Sequence, residues 1–564
     1  MRLRAFAVAA ALVAAGGVAR ADAYDHIGEG AALYVAARPI ALIGAMQRVG
    51  VDQLPAMQKL KRQMGGIDPF NPAILSAPGI DVAAPLVVSL FEPAGAGLVH
   101  SRVAATLRDP QTFATFIDAI AASGQVKLQH VDPASSLGKL GVIATGNLSP
   151  DVTVIIRVHQ SDAVLDLVNS VDGKKAPAPA ELARRFALAA AHPLSIAHGA
   201  RRLFAPEAAA VVYVDGRKLP SLMQAMAADN ARTELRWAQP SQKAAIAARQ
   251  RAREKRCAVW TRAPSTFDDV GVALTATPEG LALTWAWGTQ SGAPLGGLKL
   301  HPVDDSGLDA ELLGRDATAV LALYAASLQP FTALKRTAPF SSSETLSSAI
   351  DGCDNVAGLT LAIRSWPLAL GAIGATKATD ASSPLAAMQR SVGQLRNVVI
   401  ALRDVTQAGP RGAIAATFEA AARPTLEMLL AAGGSSGAVT TIGKRSPTVY
   451  ALTLPGFPRQ LAAALESLAG GRLGLSVADS DESLTWAFRA GALPTSAPEG
   501  SAGKPPILRV AADLATLPKL GPMLNASRDE QQLLELLARL RRVDGDLVAD
   551  GDLLRLTLRS PLKQ

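Results

Sequence analysis

Two hydrophobic periods take turns along this chain. The stretch "ALYVAARPIALIGAMQR" (32–48) begins with a β-rich apolar run, breaks at a polar residue and a proline, then continues with apolar residues at i, i+3 and i+4. That wording predicts a strand, a short break and a helix. A second stretch, "ALYAASLQPFTALKR" (322–336), repeats it. Further phrases recur in the same order. "LVVSLFEPAGAGLVHSRVAATLRDPQTFATFIDAI" (86–120) matches "NVVIALRDVTQAGPRGAIAATFEAAARPTLEMLLA" (397–431) as strand, glycine-containing turn, strand and helix. "VVYVDGRKLPSLMQAM" (211–226) matches "LRVAADLATLPKLGPML" (508–524), sharing Leu-Pro-x-Leu. A terminal hairpin closes each series: 272–288 turns at Pro278-Glu279-Gly280, and 545–560 turns at Asp550-Gly551. Glycine supplies the positive φ that such turns require.

Four collinear matches argue for an internal duplication. The expected fold is α+β: two related halves, 24–300 and 301–564, each with antiparallel strands and hairpins and with helices packed on the sheet. Within the first half, "GQVKLQHVDPASSLGKLGVIATGNLSPDVTVIIRVH" (124–159) reads as a further meander of strands. Asp109-Pro110 supplies an N-cap and a proline at the first helical position. Linkers are read at 174–181 and 492–506.

The halves differ at one place. Segment 231–260 of the first is a basic helical insertion, with Lys243, Arg249, Arg251, Arg253, Lys255 and Arg256 set among small alanines. The second has a shorter helix there, 527–542, opening on a Ser527/Glu530 capping box. The basic insertion reads either as a solvated helix with a cationic face or as a contact surface for anionic headgroups or an acidic partner.

The N-terminus decides the expected compartment. Arg2 and Arg4 precede an apolar stretch that ends in two small-x-small options, Ala19-Arg20-Ala21 and Ala21-Asp22-Ala23. Residues 1–23 therefore read as a secretory signal peptide. Elsewhere the best candidate span, 357–375, carries Arg364 and Pro367 near its middle, so no transmembrane segment is expected after cleavage. The remaining length, roughly 540 residues, calls for more than one core. A formal net charge of +8 over 564 residues is modest. It suits mild attraction to anionic surfaces, and no nucleic-acid recognition motif accompanies it. Cys257 and Cys353 are candidates for one disulfide in an oxidising compartment, or for two separate buried thiols.

Catalytic and metal motifs are weak. Seven histidines form no His-Glu-x-x-His, and no Cys-x-x-Cys occurs, so no metal or cofactor is expected. Ser136 and Lys139 match a Ser-x-x-Lys spacing, but Gly138 suggests a loop rather than the helix that chemistry needs. "GAVTTIGKRS" (437–446) has the wrong spacing for a phosphate loop. "VDGDLVADGDLL" (543–554) lacks calcium-loop spacing, and with "DSDESLTW" (479–486) it reads as hairpin chemistry.

The leader followed by "GAALYVAARPIALIGAM" (30–46), "GIDVAAPLVVSLFEP" (79–93) and "RVAATLRDPQTFATFIDAIAAS" (102–123) resembles uncharacterised exported bacterial proteins grouped as a family of unknown function. The resemblance covers mainly the first half. It implies export and an α+β repeat; it implies no activity and no site residues. The expectation is thus a periplasmic or secreted, non-enzymatic binding or interaction module whose partner is an unknown protein or envelope component. Two alternatives stand beside it: a carrier of an apolar ligand or lipid, and a hydrolase with a dispersed site.

Overall fold

The computed structural model describes residues 26–27, 31–53, 71–91, 98–124, 126–149, 152–170, 178–186, 208–218, 237–262, 267–277 and 280–289. Beyond these it describes 319–324, 395–406, 409–435, 439–443, 448–452, 474–479, 483–488, 508–515, 528–550 and 553–561, plus isolated positions, some as backbone only. The leader, Cys353, the linker 492–506 and the side chain of Cys257 lie outside the described residues. The described chain divides into two compact units, one ending at Thr289 and one beginning at Ala319.

In the first unit the strands are β1 (Ala31–Ala37), β2 (Leu86–Phe91), β3 (Leu98–Thr106), β4 (Lys127–His130), β5 (Val142–Ser149), β6 (Val152–His159), β7 (Asp162–Ser170), β8 (Ala208–Asp215), β9 (Phe267–Thr277) and β10 (Gly280–Thr289). All described pairings within it are antiparallel, in the order β4-β5-β6-β7-β3-β2-β1-β8-β9-β10. The expected meander over 124–159 is β4 to β6, and the expected hairpin at 278–280 is β9–β10.

The second unit holds β11 (Ala319–Tyr324), β12 (Leu395–Thr406), β13 (Gly409–Glu419), β14 (Val439–Gly443), β15 (Thr448–Leu452), β16 (Gly474–Asp479), β17 (Ser483–Phe488), β18 (Leu508–Asp513), β19 (Arg542–Asp550) and β20 (Leu553–Pro561). Its antiparallel order is β14-β15-β16-β17-β13-β12-β11-β18-β19-β20. The two orders coincide strand for strand. The literal phrases do not share one register, however. Ala37 pairs with Leu86, whereas Asn397, matched to Leu86 by sequence, pairs with Tyr324. Tyr324 thus stands at the place of Ala37 rather than of Tyr34, an odd displacement that exchanges the faces of the strand.

Helices join the strands at fixed places. In the first unit, α1 (Pro39–Val49) follows β1 and α2 (Pro110–Ala122) follows β3; α3 (Pro179–Arg185) follows β7 and α4 (Pro240–Arg262) lies between β8 and β9. In the second, α5 (Arg423–Ser435) follows β13 and α6 (Arg528–Ala538) lies between β18 and β19. Mixed helices and antiparallel sheet make the architecture α+β, and a strand-rich one.

Local chemistry sets the helix ends. Pro39 opens α1, and Gly50 closes it in the left-handed region at φ 80°, the conformation glycine adopts without cost. Asp109 caps α2: its carboxylate accepts from the backbone N–H groups of Gln111 and Thr112 at 2.9 and 3.2 Å and from the Thr112 hydroxyl at 2.6 Å. These bonds hold the Asp109 carboxyl below the usual carboxylate range. Helix α2 buries Phe113 and Ile117 against Val103, Ala105 and Ile156 on one face of the sheet. The opposite face of the sheet carries Tyr34, Val87, Ala104, Val164 and Tyr213. Tyr34 and Tyr213, register partners on β1 and β8, stack at 4.9 Å.

Candidate functional site

Strand periodicity gathers the ionisable groups of the first unit. His100 and Arg102 are two residues apart on β3, so they share a face. Arg102 is the register partner of Asp166 on β7, and Asp162 lies two pleats along the same strand. Asp166 pairs with Ile155 on β6, which brings Arg157 onto the same face one diagonal away. All five residues are buried, and so is His26, which approaches from the segment before β1.

Asp166 is the hub. Its Oδ1 accepts from Arg102 Nε at 2.7 Å and lies 2.8 Å from His100 Nε2. Arg157 Nη2 approaches its Oδ2 at 3.1 Å, an ion-pair contact without the alignment of a hydrogen bond. An ionised carboxylate only accepts, so neutral His100 carries its proton on Nε2. Its Nδ1 then has no hydrogen-bond partner among the described residues. His26 Nε2 contacts Asp162 Oδ2 at 2.9 Å.

The guanidinium groups also tie down α3. Arg157 donates to the carbonyl of Phe186 at 2.7 Å and to that of Ala183 at 3.3 Å. Arg102 donates to Phe186 O at 2.9 Å and to His26 O at 3.2 Å. Helix C-termini leave carbonyls unpaired and carry partial negative charge, so two cations suit this end. Phe91 and Phe186 sandwich the His100 ring at 4.3 and 3.9 Å, and the Arg102 guanidinium sits 5.5 Å from the centre of the Phe91 ring.

The electrostatics follow. Burial works against ionisation of Asp166, but Arg102, the bond to His100 and Arg157 outweigh it and hold the carboxyl below its usual range. Burial pushes His100 down, against the pull of Asp166, and the two arginines add to that shift. Burial also lowers Arg157, against Asp166. Two arginines and His100 thus converge on one carboxylate, Asp166, while Asp162 contacts His26.

A histidine bonded to an aspartate is half of a general-base arrangement. Ser89, buried on the same face, is the register partner of Arg102 across β2–β3, yet no hydrogen bond joins it to His26 or His100. The hydrogen bonds of this cluster run among its own members and to backbone carbonyls, while Arg157 Nε, Asp162 Oδ1 and Asp166 Oδ2, like His100 Nδ1, have none among the described residues. Their described arrangement is that of a cross-strand staple joining β3, β6, β7, α3 and the segment before β1.

Sequence reasoning did not find this cluster. Its members are 9 to 136 residues apart where they meet, most of them more than 60, and the usable signal was polar residues at inward-facing positions of apolar strands. The candidates named from sequence are elsewhere. Lys243, Arg249 and Arg251 are exposed on α4; Arg253, Lys255, Arg256 and Cys257 have described backbone on that helix. Ser136 and Lys139 are exposed on a turn and a one-turn 3-10 helix, so they do not share an α-helical face. Segment 439–443 of the glycine-containing phrase is strand β14. No group of three or more metal-ligating residues occurs among the described residues, and no described helix is long and apolar enough to cross a membrane. A cavity between the sheet and α2, lined by Ile80, Val103, Phe113, Ile117 and Ile156, holds about 20 Å³. Ligand pockets usually measure about 300–1,000 Å³, so this one has room for no lipid.

Neither a family model nor a curated protein matches the chain. Among solved structures, it is similar to crystal forms IV and III of TP0453, at 11% and 10% identity. These matches cover 47% and 49% of this chain and 79% and 82% of the other, with a TM-score of 0.25 for each. A likeness of that size carries no argument about fold or function.

Proposed function

We propose that the chain is an exported envelope protein, built of two halves related by duplication, that serves as a non-enzymatic binding or interaction module. The leader sequence supports export, and the coincident strand orders of the two units support duplication. The observation that carries the functional reading is the buried cluster around Asp166. The hydrogen bonds that its ionisable groups do make fasten strands and a helix end to one another, which is scaffold chemistry. The parts left to meet other molecules are then the surfaces the scaffold displays.

Two measurements test this. The first is fractionation of a Gram-negative host expressing the full chain, with N-terminal mass determination. A periplasmic product beginning after Ala21 or Ala23 is expected; a cytoplasmic product retaining Met1 would remove the export reading. The second is treatment of the mature protein with a fluorophosphonate, which reacts with activated serines. Absence of labelling is expected. Stoichiometric labelling, abolished by substitution of one serine, would replace the binding module with the hydrolase.

A further inference from the structure

The helix between the eighth and ninth strands of each unit behaves differently in the two. In the second unit, α6 buries Leu536 and half-buries Leu534 and Leu537. In the first, α4 runs for 23 residues, and no described side chain from 237 to 252 is buried. A helical stretch that buries none of its described side chains gains little from the core. Its sequence answers to something outside it.

The residues before α4 fold back along it. Gln250 donates to the carbonyl of Ala231 at 2.9 Å and to Glu234 at 3.2 Å, and Arg249 pairs with Glu234. The result is a helical hairpin. Near its bend stands Trp237, 81% exposed, followed by exposed Gln239, Pro240 and Lys243. Along α4 the sequence places Lys243, Arg249, Arg251, Arg253, Lys255, Arg256 and Arg262 against a single acid, Glu254. At 3.6 residues per turn, Arg249 and Arg251 stand about 160° apart around the axis. The cations therefore ring the helix rather than line one side.

We infer that this hairpin docks on an anionic lipid surface. Lys243 follows the bend that carries Trp237, and cations on every side of the axis offer about half their number to headgroups whichever side of α4 faces them. The alanines give no large apolar face, so the attraction is electrostatic, with Trp237 as an exposed apolar anchor. The exposed indole selects lipid over a soluble acidic partner, because tryptophan settles at the headgroup level with its ring in the apolar boundary. The inference gives the interaction module a partner. It rests on the export reading only for which membrane the hairpin meets, and the fractionation experiment tests that separately.

The test uses the full mature chain and flotation with vesicles of phosphatidylcholine, with and without phosphatidylglycerol. Binding is expected only with phosphatidylglycerol, and is expected to vanish in roughly 1 M salt, where the Debye length is about 3 Å. Lys243→Ala/Arg251→Ala should weaken binding roughly tenfold or more. Brominated lipid chains should quench tryptophan emission, and Trp237→Phe should lose that quenching while the other five tryptophans remain. No flotation, equal flotation on both vesicle types, or quenching unchanged in Trp237→Phe would each overturn the proposal. So would equally tight binding to soluble polyglutamate together with unquenched emission, which would mark an acidic protein partner instead.

Discussion

Replacing Asp166 by Asn asks the most of the proposed staple. The variant keeps the shape of the side chain, so it creates no cavity, and removes the charge that Arg102, Arg157 and His100 share. Asp166 and Arg157 are 0% exposed and Arg102 is 5% exposed. Two guanidinium groups would then remain buried with only carbonyls and a neutral amide to face. Breaking a buried ion pair from one side typically costs about 3–5 kcal/mol, against a usual domain stability of about 5–15 kcal/mol. Because the chain has two units, one global melting curve would blend them. Hydrogen exchange read on peptides from β3, β6 and β7 isolates the first unit. In Asp166→Asn these strands should lose protection together while β12 and β13 keep theirs. Arg102→Met/Asp166→Asn should cost less than the two single changes added, since each removes the partner the other would strand. A loss below about 1 kcal/mol for Asp166→Asn, the scale of a solvated pair, would refute the claim that this cluster is buried and mutually dependent.

Other outcomes follow from the same geometry. His100 has its pKa lowered when folded, so below its ordinary value of 6.5 the unfolded chain takes up the proton first and stability falls. Asp166, also lowered, adds a second loss below 3.8. Denaturation of the first unit should therefore need less urea at pH 5 than at pH 7, and His100→Gln should flatten that interval; a flat wild-type profile would contradict it. Gly79 sits at φ +77°, and a Cβ there would lie 2.5 Å from the Asp109 carbonyl and 2.9 Å from the Phe113 nitrogen. Gly79→Ala should destabilise by about 2 kcal/mol or more and expose α2 to faster exchange. Gly44, inside α1 with nothing within 4 Å of an added Cβ, gives the opposite sign. Gly44→Ala should stabilise by about 0.5–1 kcal/mol, measured by urea midpoint.

What was legible in the sequence is what short-range chemistry writes. Asp109-Pro110 announces a helix start because cap and first-turn preferences act within four residues. The 278–280 turn announces β9–β10 because glycine and neighbouring apolar alternation act within one hairpin. The basic insertion was read as helical from its own residues, and 240–262 is a helix. The Asp166 staple was not legible, because it depends on which strands become neighbours. β7 returns to pair with β3 across three intervening strands, and only that return sets Asp166 against Arg102. His100, Arg102 and Asp162 each read singly as an ordinary polar residue in a strand. The opening repeat shows the converse error. Tyr34 and Tyr324 match as letters, yet register places Tyr324 where Ala37 stands.

The place of β1 has a kinetic consequence. It is synthesised before every other described strand, yet it lies between β2 and β8, and its second partner is about 180 residues downstream. Until that partner emerges, one side of β1 has no ladder to join, and non-local pairing of this kind closes late. The second unit repeats the delay with β11, whose partner β18 follows roughly 190 residues later. Each unit so arranged stays unclosed through most of its own synthesis, so its folding waits on its C-terminal strands rather than following the ribosome strand by strand.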